Sequence, residues 1–98
     1  MIKTTVSQNN INNGRIKCNR ECPIALSLHN SSKVAHATIY DDYSTLFLKK
    51  KIKGKTIALD FFHSNQILNF IKKFDDGKKV NPQTIIFSKN LLRRKKLL

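Results

Sequence analysis

The stretch C-N-R-E-C-P-I-A-L-S-L, residues 18–28, joins a C-x3-C cysteine pair to a proline and then to an apolar run. Proline is accepted at the first position of a helix because its missing N–H would have no partner there, so Cys22 is predicted to be the N-cap. Ile24, Ala25 and Leu28 then fall on one helical face. The stretch therefore predicts a two-turn helix that closes one side of a small core.

The segments on either side of this helix carry strand and turn signals. β-Branched residues at 2–7 predict a short strand, and the polar run that follows predicts a turn or a single helical turn around Ile11. Alternating residues predict strands at 34–40 and 44–53, and a return strand at 56–59 follows a tight turn at Gly54. The second and third of these strands form a predicted lysine-rich hairpin.

A second helix is predicted after Ser64, which is a good N-cap. Apolar residues follow it at positions i, i+3, i+4 and i+7, namely Ile67, Phe70, Ile71 and Phe74, and Gly77 is placed to end the helix in a left-handed conformation. The last strand is predicted at 84–88. Its three consecutive apolar residues favour a position partly in the centre of a sheet.

The elements follow the order β-α-β-β-β-α-β, which predicts the α+β class. We expect one antiparallel or mixed sheet of four to five strands with both helices packed on one face. A chain of 98 residues has the length of one domain. The predicted division is a single α+β domain at 1–89 and a basic C-terminal tail at 90–98.

The charge of the chain is large and unevenly placed. The sequence holds 19 Lys and Arg against 6 Asp and Glu, a formal charge of +13. Five basic and three acidic residues precede residue 49, whereas fourteen basic and three acidic residues follow, so the charge is concentrated in the second half. Such a charge predicts an anionic partner.

Several functional classes lack their sequence signals. No apolar run reaches the length of a membrane span and the first residues lack the apolar region of a secretory signal, so we expect no membrane association and a location in the cytoplasm of a host cell. No P-loop, nucleophile elbow or paired-carboxylate motif is present, and the Asp pairs at 41–42 and 75–76 are typical of turns. We therefore predict no enzyme activity, no catalytic residues and no cofactor.

The lysine-rich hairpin is the first candidate binding site. Alternate side chains on one strand face lie side by side, so lysines at these positions can follow a row of phosphates and an aromatic ring can stack on a base. The alternative is a solvated face, or lysines that protect an edge strand from unwanted pairing. The predicted nucleic-acid-binding residues of the hairpin are Phe47, Lys49, Lys51, Lys53 and Lys55.

The C-terminal run L-L-R-R-K-K-L-L is the second candidate. Its basic residues are Arg93, Arg94, Lys95 and Lys96. A helix here would place leucines beside arginines, which suits a partner's groove, an RNA backbone or a membrane surface. Without a helix, the run is expected to be a disordered tail.

Cys18 and Cys22 allow three interpretations. They could ligate zinc with histidines from elsewhere, although no second ligand pair stands at a finger-like spacing. Cys22 could be a reactive thiol whose pKa is lowered at a helix N-terminus near Arg20. The interpretation we favour is a small buried side chain that closes the corner between helix and sheet, with no metal bound.

Three blocks of the sequence carry a family resemblance. They are Gln8-x-x-Ile11-x-x-Gly14, then Cys22-Pro23-Ile24-Ala25-Leu26-Ser27-Leu28, then Phe70-Ile71-x-x-Phe74-Asp75-x-Gly77-x-x-Val80-x-Pro82. In this order they resemble a group of small accessory proteins found in bacteriophage genomes. The resemblance implies a phage or mobile-element accessory protein and supplies no catalytic residues. The basic hairpin and the C-terminal R-R-K-K depart from that pattern.

The leading hypothesis is thus a small basic accessory protein that binds RNA, DNA or a nucleoprotein machine. One alternative is an inhibitor or anti-defence factor that binds an acidic host protein. A small anionic ligand such as a signalling nucleotide is a related possibility. Another alternative is a ribosome-associated RNA-binding protein.

Overall fold

The computed structural model describes residues 2–98 and has the α+β composition that the sequence predicts. The elements are β1 (Ile2–Val6), α1 (Gln8–Asn13), α2 (Pro23–His29), β2 (Val34–Ile39), β3 (Tyr43–Ile52), β4 (Lys55–Phe62), α3 (Asn65–Asp75), β5 (Gln83–Phe87) and β6 (Leu92–Leu97), with a 3-10 turn at Lys89–Leu91. The predicted order lacked α1 and β6. The segment of α1 was expected to be a turn or a single helical turn, and that of β6 a helix or a disordered tail.

The strands form two antiparallel sheets, so the expectation of one sheet is not met. β1 and β5 make a two-stranded sheet, and the other four strands form a sheet in the order β2-β3-β4-β6. β5 was expected to lie partly in the centre of a sheet, but β1 is its one neighbour and Ile86 is exposed. Thr4 pairs with Ile85, and the buried residues of both strands face the core.

The C-terminal segment is the largest departure from the sequence prediction. Leu92–Leu97 forms β6, which pairs antiparallel with β4, and reciprocal backbone hydrogen bonds between Thr56 and Leu98 (2.8 and 3.2 Å) extend the pairing. The expectation of a helix or a disordered tail is therefore wrong. The open edge of β4 offers a row of backbone donors and acceptors, and any extended segment can satisfy them irrespective of its side chains.

Helix α2 begins as predicted, with Cys22 as the N-cap and Pro23 in the first turn. Helix α3 is capped by Ser64, whose Oγ accepts a hydrogen bond from the N–H of Ile67 at 3.3 Å. At its other end Gly77 adopts φ +75° and its N–H donates to the carbonyl of Phe74 at 3.1 Å. Local signals thus define the start of α2 and both ends of α3.

The core lies between one face of the four-stranded sheet, the two-stranded sheet, and helices α2 and α3. Its buried members are Ile2, Val6, Ile24, Ala25, Leu28, Val34, Ala37, Ile39, Leu46, Phe61, Ile67, Phe70, Val80, Ile85 and Phe87. We call the core-lining side of the four-stranded sheet its inner face and the opposite side its outer face. None of the helices in residues 2–98 has both the length and the apolar character that a bilayer crossing requires.

Irregular pairing alters the alternation that the sequence predicts in β2. Val34 pairs with Leu48 whereas His36 pairs with Phe47, so Ala35 is an extra residue, a β-bulge. Ala35 is consequently exposed whereas Ala37 is buried, so the two do not share a face as a regular alternation over 34–40 would require. The bulge lets both Val34 and Ala37 reach the core.

Candidate nucleic-acid interface

The predicted lysine-rich hairpin is present as β3 and β4. Its tip is a two-residue turn in which Lys53 (φ +50°) and Gly54 (φ +75°) both adopt positive φ, the combination that matches the right-handed twist of paired strands. The five lysines of this hairpin, Lys49, Lys50, Lys51, Lys53 and Lys55, are all exposed. The tip of the sheet is therefore a dense cluster of ammonium groups.

The register of the hairpin changes where the lysines begin. Phe47 pairs with Ala58 but Lys51 pairs with Thr56, so four residue steps along β3 face two along β4. Three consecutive lysines are exposed in this irregular segment, in place of the strict alternation that would put Lys50 on the apolar side. The irregular segment thus spreads positive charge around the strand.

The second predicted cluster lies on the same sheet as the first. In β6, Lys96 pairs with Ala58, Lys95 with Leu59 and Arg94 with Asp60. Leu92 at the start of β6 lies opposite Phe61, and Leu97 at its end lies opposite Ile57, which is closer to the hairpin tip. All six residues of β6 are exposed. The two clusters that the sequence kept apart therefore form one basic region along β4.

Cross-strand pairs define the outer face of this sheet. His36 lies opposite Phe47, Thr38 opposite Thr45, and Thr45 opposite Asp60, whose Oδ1 accepts a hydrogen bond from Thr45 Oγ1 at 2.7 Å. The core cluster takes none of these residues, because the β3 and β4 side chains that contribute to it are Leu46, Leu48, Leu59 and Phe61 on the inner face. Among the residues of these four strands, Asp60 is the one acidic side chain.

Aromatic rings are paired on the outer face, and sequence reasoning identified one of them, Phe47. The ring of His36 stacks on Phe47 with centroids 4.3 Å apart and planes 21° from parallel. Tyr43 lies opposite Phe62 in the register. The alternation of Tyr43 with Phe47 along β3 could have revealed Tyr43, whereas the places of His36 and Phe62 depend on the strand register, which a single sequence does not fix.

Arg93 is held over two of these rings. It is the extra residue in β6, since Asp60 pairs with Arg94 while Phe61 pairs with Leu92. Its guanidinium carbon lies 5.0 Å from the ring centroid of Tyr43 and 5.5 Å from that of Phe62. Both distances are in the range of cation–π attraction. The bulge thus directs one arginine of the predicted cluster towards the aromatic residues.

The corner formed by Cys18 and Cys22 borders a cavity of about 390 Å³ between α2 and α3. Burial raises the pKa of the Cys22 thiol to about 11, against the small lowering effect of backbone N–H groups in the first turn. The raised pKa goes against the alternative of a reactive Cys22 thiol, because desolvation of the thiolate outweighs the helix terminus. No group of three potential ligands lies close enough to hold a metal ion within the part of the chain that the structure describes.

A serine and a histidine also meet inside the molecule. Ser44 Oγ lies 2.6 Å from Nε2 of His63, and Nδ1 of His63 is 3.2 Å from the backbone oxygen of Asp41. A carbonyl accepts only, so Nδ1 carries the proton and Nε2 accepts from the serine hydroxyl. Ser44 is 0% exposed, so no substrate reaches this pair and its role is to join β3 to the end of β4.

Comparison of the chain with protein-family models, with curated proteins and with solved structures found no match. The bacteriophage resemblance therefore stays a prediction.

Proposed function

We propose that this chain is a small basic accessory protein, of the phage type that its sequence resembles, and that it binds nucleic acid or a nucleoprotein complex. The binding surface comprises the hairpin lysines and strand β6. The observation that carries the proposal is the pairing of β6 with β4, which puts both basic clusters on one sheet.

The proposed mechanism is electrostatic. A row of lysine and arginine side chains along the sheet neutralises several phosphates and releases the counterions condensed on them. The salt bridge between Arg15 and Glu21 lies outside this sheet, and Asp60 is the one carboxylate within its strands. Most of the cationic side chains of the sheet are thus available to an external anion.

A triple substitution of Lys49, Lys51 and Lys53 by alanine tests the proposal. The logarithm of the binding constant falls linearly with the logarithm of the salt concentration, and each lost phosphate contact makes this fall less steep by about 0.7–0.9. The slope of the variant should therefore be less steep by about 2–3 units, and the variant should bind every sequence more weakly. Binding is measured by fluorescence anisotropy of a labelled oligonucleotide over a series of salt concentrations.

The matched control replaces Lys72, Lys73 and Lys78, exposed lysines at the end of α3, with alanine. It removes the same net charge from a different surface, so its effect should be much smaller. Equal effects from both triple variants would overturn the placement of the site. Failure of the unaltered protein to bind any nucleic acid would overturn the proposed function and favour an acidic protein as the partner.

A further inference from the structure

The outer face of the four-stranded sheet carries aromatic groups at both of its ends. We name two clusters there: the tip-side cluster, made of His36 and Phe47, and the far cluster, made of Tyr40, Tyr43, Phe62 and Arg93. Tyr40 stacks on Tyr43 with ring centroids 4.6 Å apart. The far cluster therefore combines three aromatic rings and one guanidinium plane, groups of the kind that stack on nucleobases. Within it Tyr43 already lies against Tyr40 and Arg93, and Phe62 is the most exposed ring.

Two aromatic groups of this face are exposed, and the other three, Tyr40, Tyr43 and Phe47, are half-buried. Phe62 is 49% exposed, and His36 is also exposed. No core residue of β3 or β4 comes from the outer face, so helices α2 and α3 pack against the other side. Covering an exposed phenylalanine with an apolar surface is favourable, because it removes apolar area from water. A flat aromatic partner would cover it without disturbing the core.

The two clusters are spaced along one strand. Tyr43 and Phe47 are four residues apart in β3, which corresponds to about 13 Å at the usual rise of an extended strand. Phosphate-binding groups lie between and beside them, because Arg94 and Lys96 of β6 pair with the outer-face positions Asp60 and Ala58. A strand of nucleic acid that crossed the face would meet stacking groups and cationic groups in turn.

Exposed aromatic groups on a basic surface favour unpaired over paired nucleic acid. In a duplex the faces of the bases are covered by neighbouring base pairs, whereas unpaired bases can turn outward and stack on side chains. A basic surface without aromatic groups would bind both forms through their phosphates. The exposed rings add a contact that only unpaired bases can make.

We infer that the outer face of the four-stranded sheet is a stacking platform for the bases of single-stranded nucleic acid, with the far cluster as its main stacking site. The inference rests on the proposed function and specifies its substrate. The hairpin lysines and β6 supply sequence-independent attraction, and the aromatic clusters select unpaired strands. RNA and DNA share this chemistry, so both are used in the test.

Intrinsic tyrosine fluorescence can report base stacking on the far cluster. It contains two tyrosines and no tryptophan, and both tyrosines belong to the far cluster. Tyrosine emission is titrated with oligothymidylate, with oligouridylate and with a DNA duplex of the same length. Stacking of a base on Tyr40 or Tyr43 should quench the emission with single strands and leave it nearly unchanged with the duplex.

Phe62→Leu is the variant that removes stacking while keeping an apolar side chain of similar size. Its affinity for single strands should fall by a factor between about 5 and 150, the usual range for one stacked base, and its duplex affinity should stay the same. Ile86→Ala, an exposed apolar residue on the two-stranded sheet, is the control and should bind like the unaltered protein. Circular dichroism verifies that each variant is folded.

The outcomes separate the two claims. If the protein binds neither single strands nor the duplex, both the proposed function and the platform are overturned. Equal affinity for duplex and single strand, with steady tyrosine emission and no effect of Phe62→Leu, overturns the platform and leaves the electrostatic function standing. Quenching and selective loss in Phe62→Leu support the platform.

Discussion

A Cβ atom added to Gly14 would lie 2.6 Å from two ring carbons of Pro23 and 2.9 Å from its backbone nitrogen. Real Cβ atoms do not approach other heavy atoms this closely, so only glycine fits. The backbone of Gly14 is extended, with φ −70°, so the requirement comes from space alone. The contact fastens the segment after α1 to the start of α2.

Gly14→Ala should therefore lower the free energy of unfolding. The added methyl group overlaps a rigid ring and a backbone atom, neither of which can rotate away, and overpacking of this kind costs about 1–3 kcal/mol. Urea denaturation followed by circular dichroism measures the change. Ser32→Ala, at an exposed bend, is the control and should stay within about 0.5 kcal/mol of the unaltered protein. Equal stability of both variants would show that the corner can relax.

Folding stability should decrease as the pH falls below the ordinary pKa of histidine, and His63 is the cause. Burial lowers the pKa of His63 from its usual 6.5, opposed by the carbonyl of Asp41 and the charges of Asp41 and Asp42. The unfolded chain then binds a proton at a higher pH than the folded chain, so the free energy of unfolding falls between 6.5 and the lowered folded value. Denaturation across this pH range measures the slope. In His63→Gln the slope should be smaller, and an unchanged slope would contradict the assignment.

Elements defined by local signals were predictable from the sequence. The cap at Ser64, the left-handed Gly77 and the turn at Gly54 each depend on a few neighbouring residues, and the structure contains all three features. The hairpin follows from the same local chemistry, because a short turn brings adjacent strands together. These elements need no knowledge of the rest of the chain.

Non-local pairing was not predictable in the same way. β5 pairs with β1, which lies more than seventy residues earlier in the chain. The residues of β5 do not indicate this partner in preference to a strand of the hairpin. In β6, the run R-R-K-K lacks an apolar alternation, so its strand structure depends on the open edge of β4. The far cluster shares this origin, since Arg93 and Phe62 meet only after β6 has paired with β4.

Cys22 should react slowly with alkylating reagents in the folded protein. Its pKa is raised from 9.0 to about 11, so the thiolate at neutral pH is about a hundredfold scarcer than in the unfolded chain. Peptide mass spectrometry after a timed exposure to iodoacetamide, with and without urea, measures the alkylated fraction of Cys22 separately from that of Cys18. Rapid modification of the native protein would restore the hypothesis of a reactive thiol.

Strand β6 should protect its backbone amides in the isolated protein. The N–H of Leu98 donates to the carbonyl of Thr56 at 2.8 Å, so its hydrogen exchange requires β6 to separate from β4. Hydrogen exchange measured by NMR should be slower at Leu98 than at the loop residues 79–81. Exchange at the rate of an unfolded peptide throughout 92–98 would mean that this segment needs a partner to join the sheet.

Asp60→Asn should strengthen nucleic-acid binding. Its carboxylate is the acidic group among the strands of the four-stranded sheet, it lies opposite Arg94, and Thr45 Oγ1 donates to it at 2.7 Å. Asparagine retains an oxygen that can accept this hydrogen bond, so the variant removes the charge and leaves the local contact. The lost repulsion should raise the affinity about 2- to 5-fold at low salt, which corresponds to about 0.5–1 kcal/mol. Asp76→Asn, at the end of α3, changes the net charge equally and is the control, and an equal gain in both variants would place the bound phosphates elsewhere.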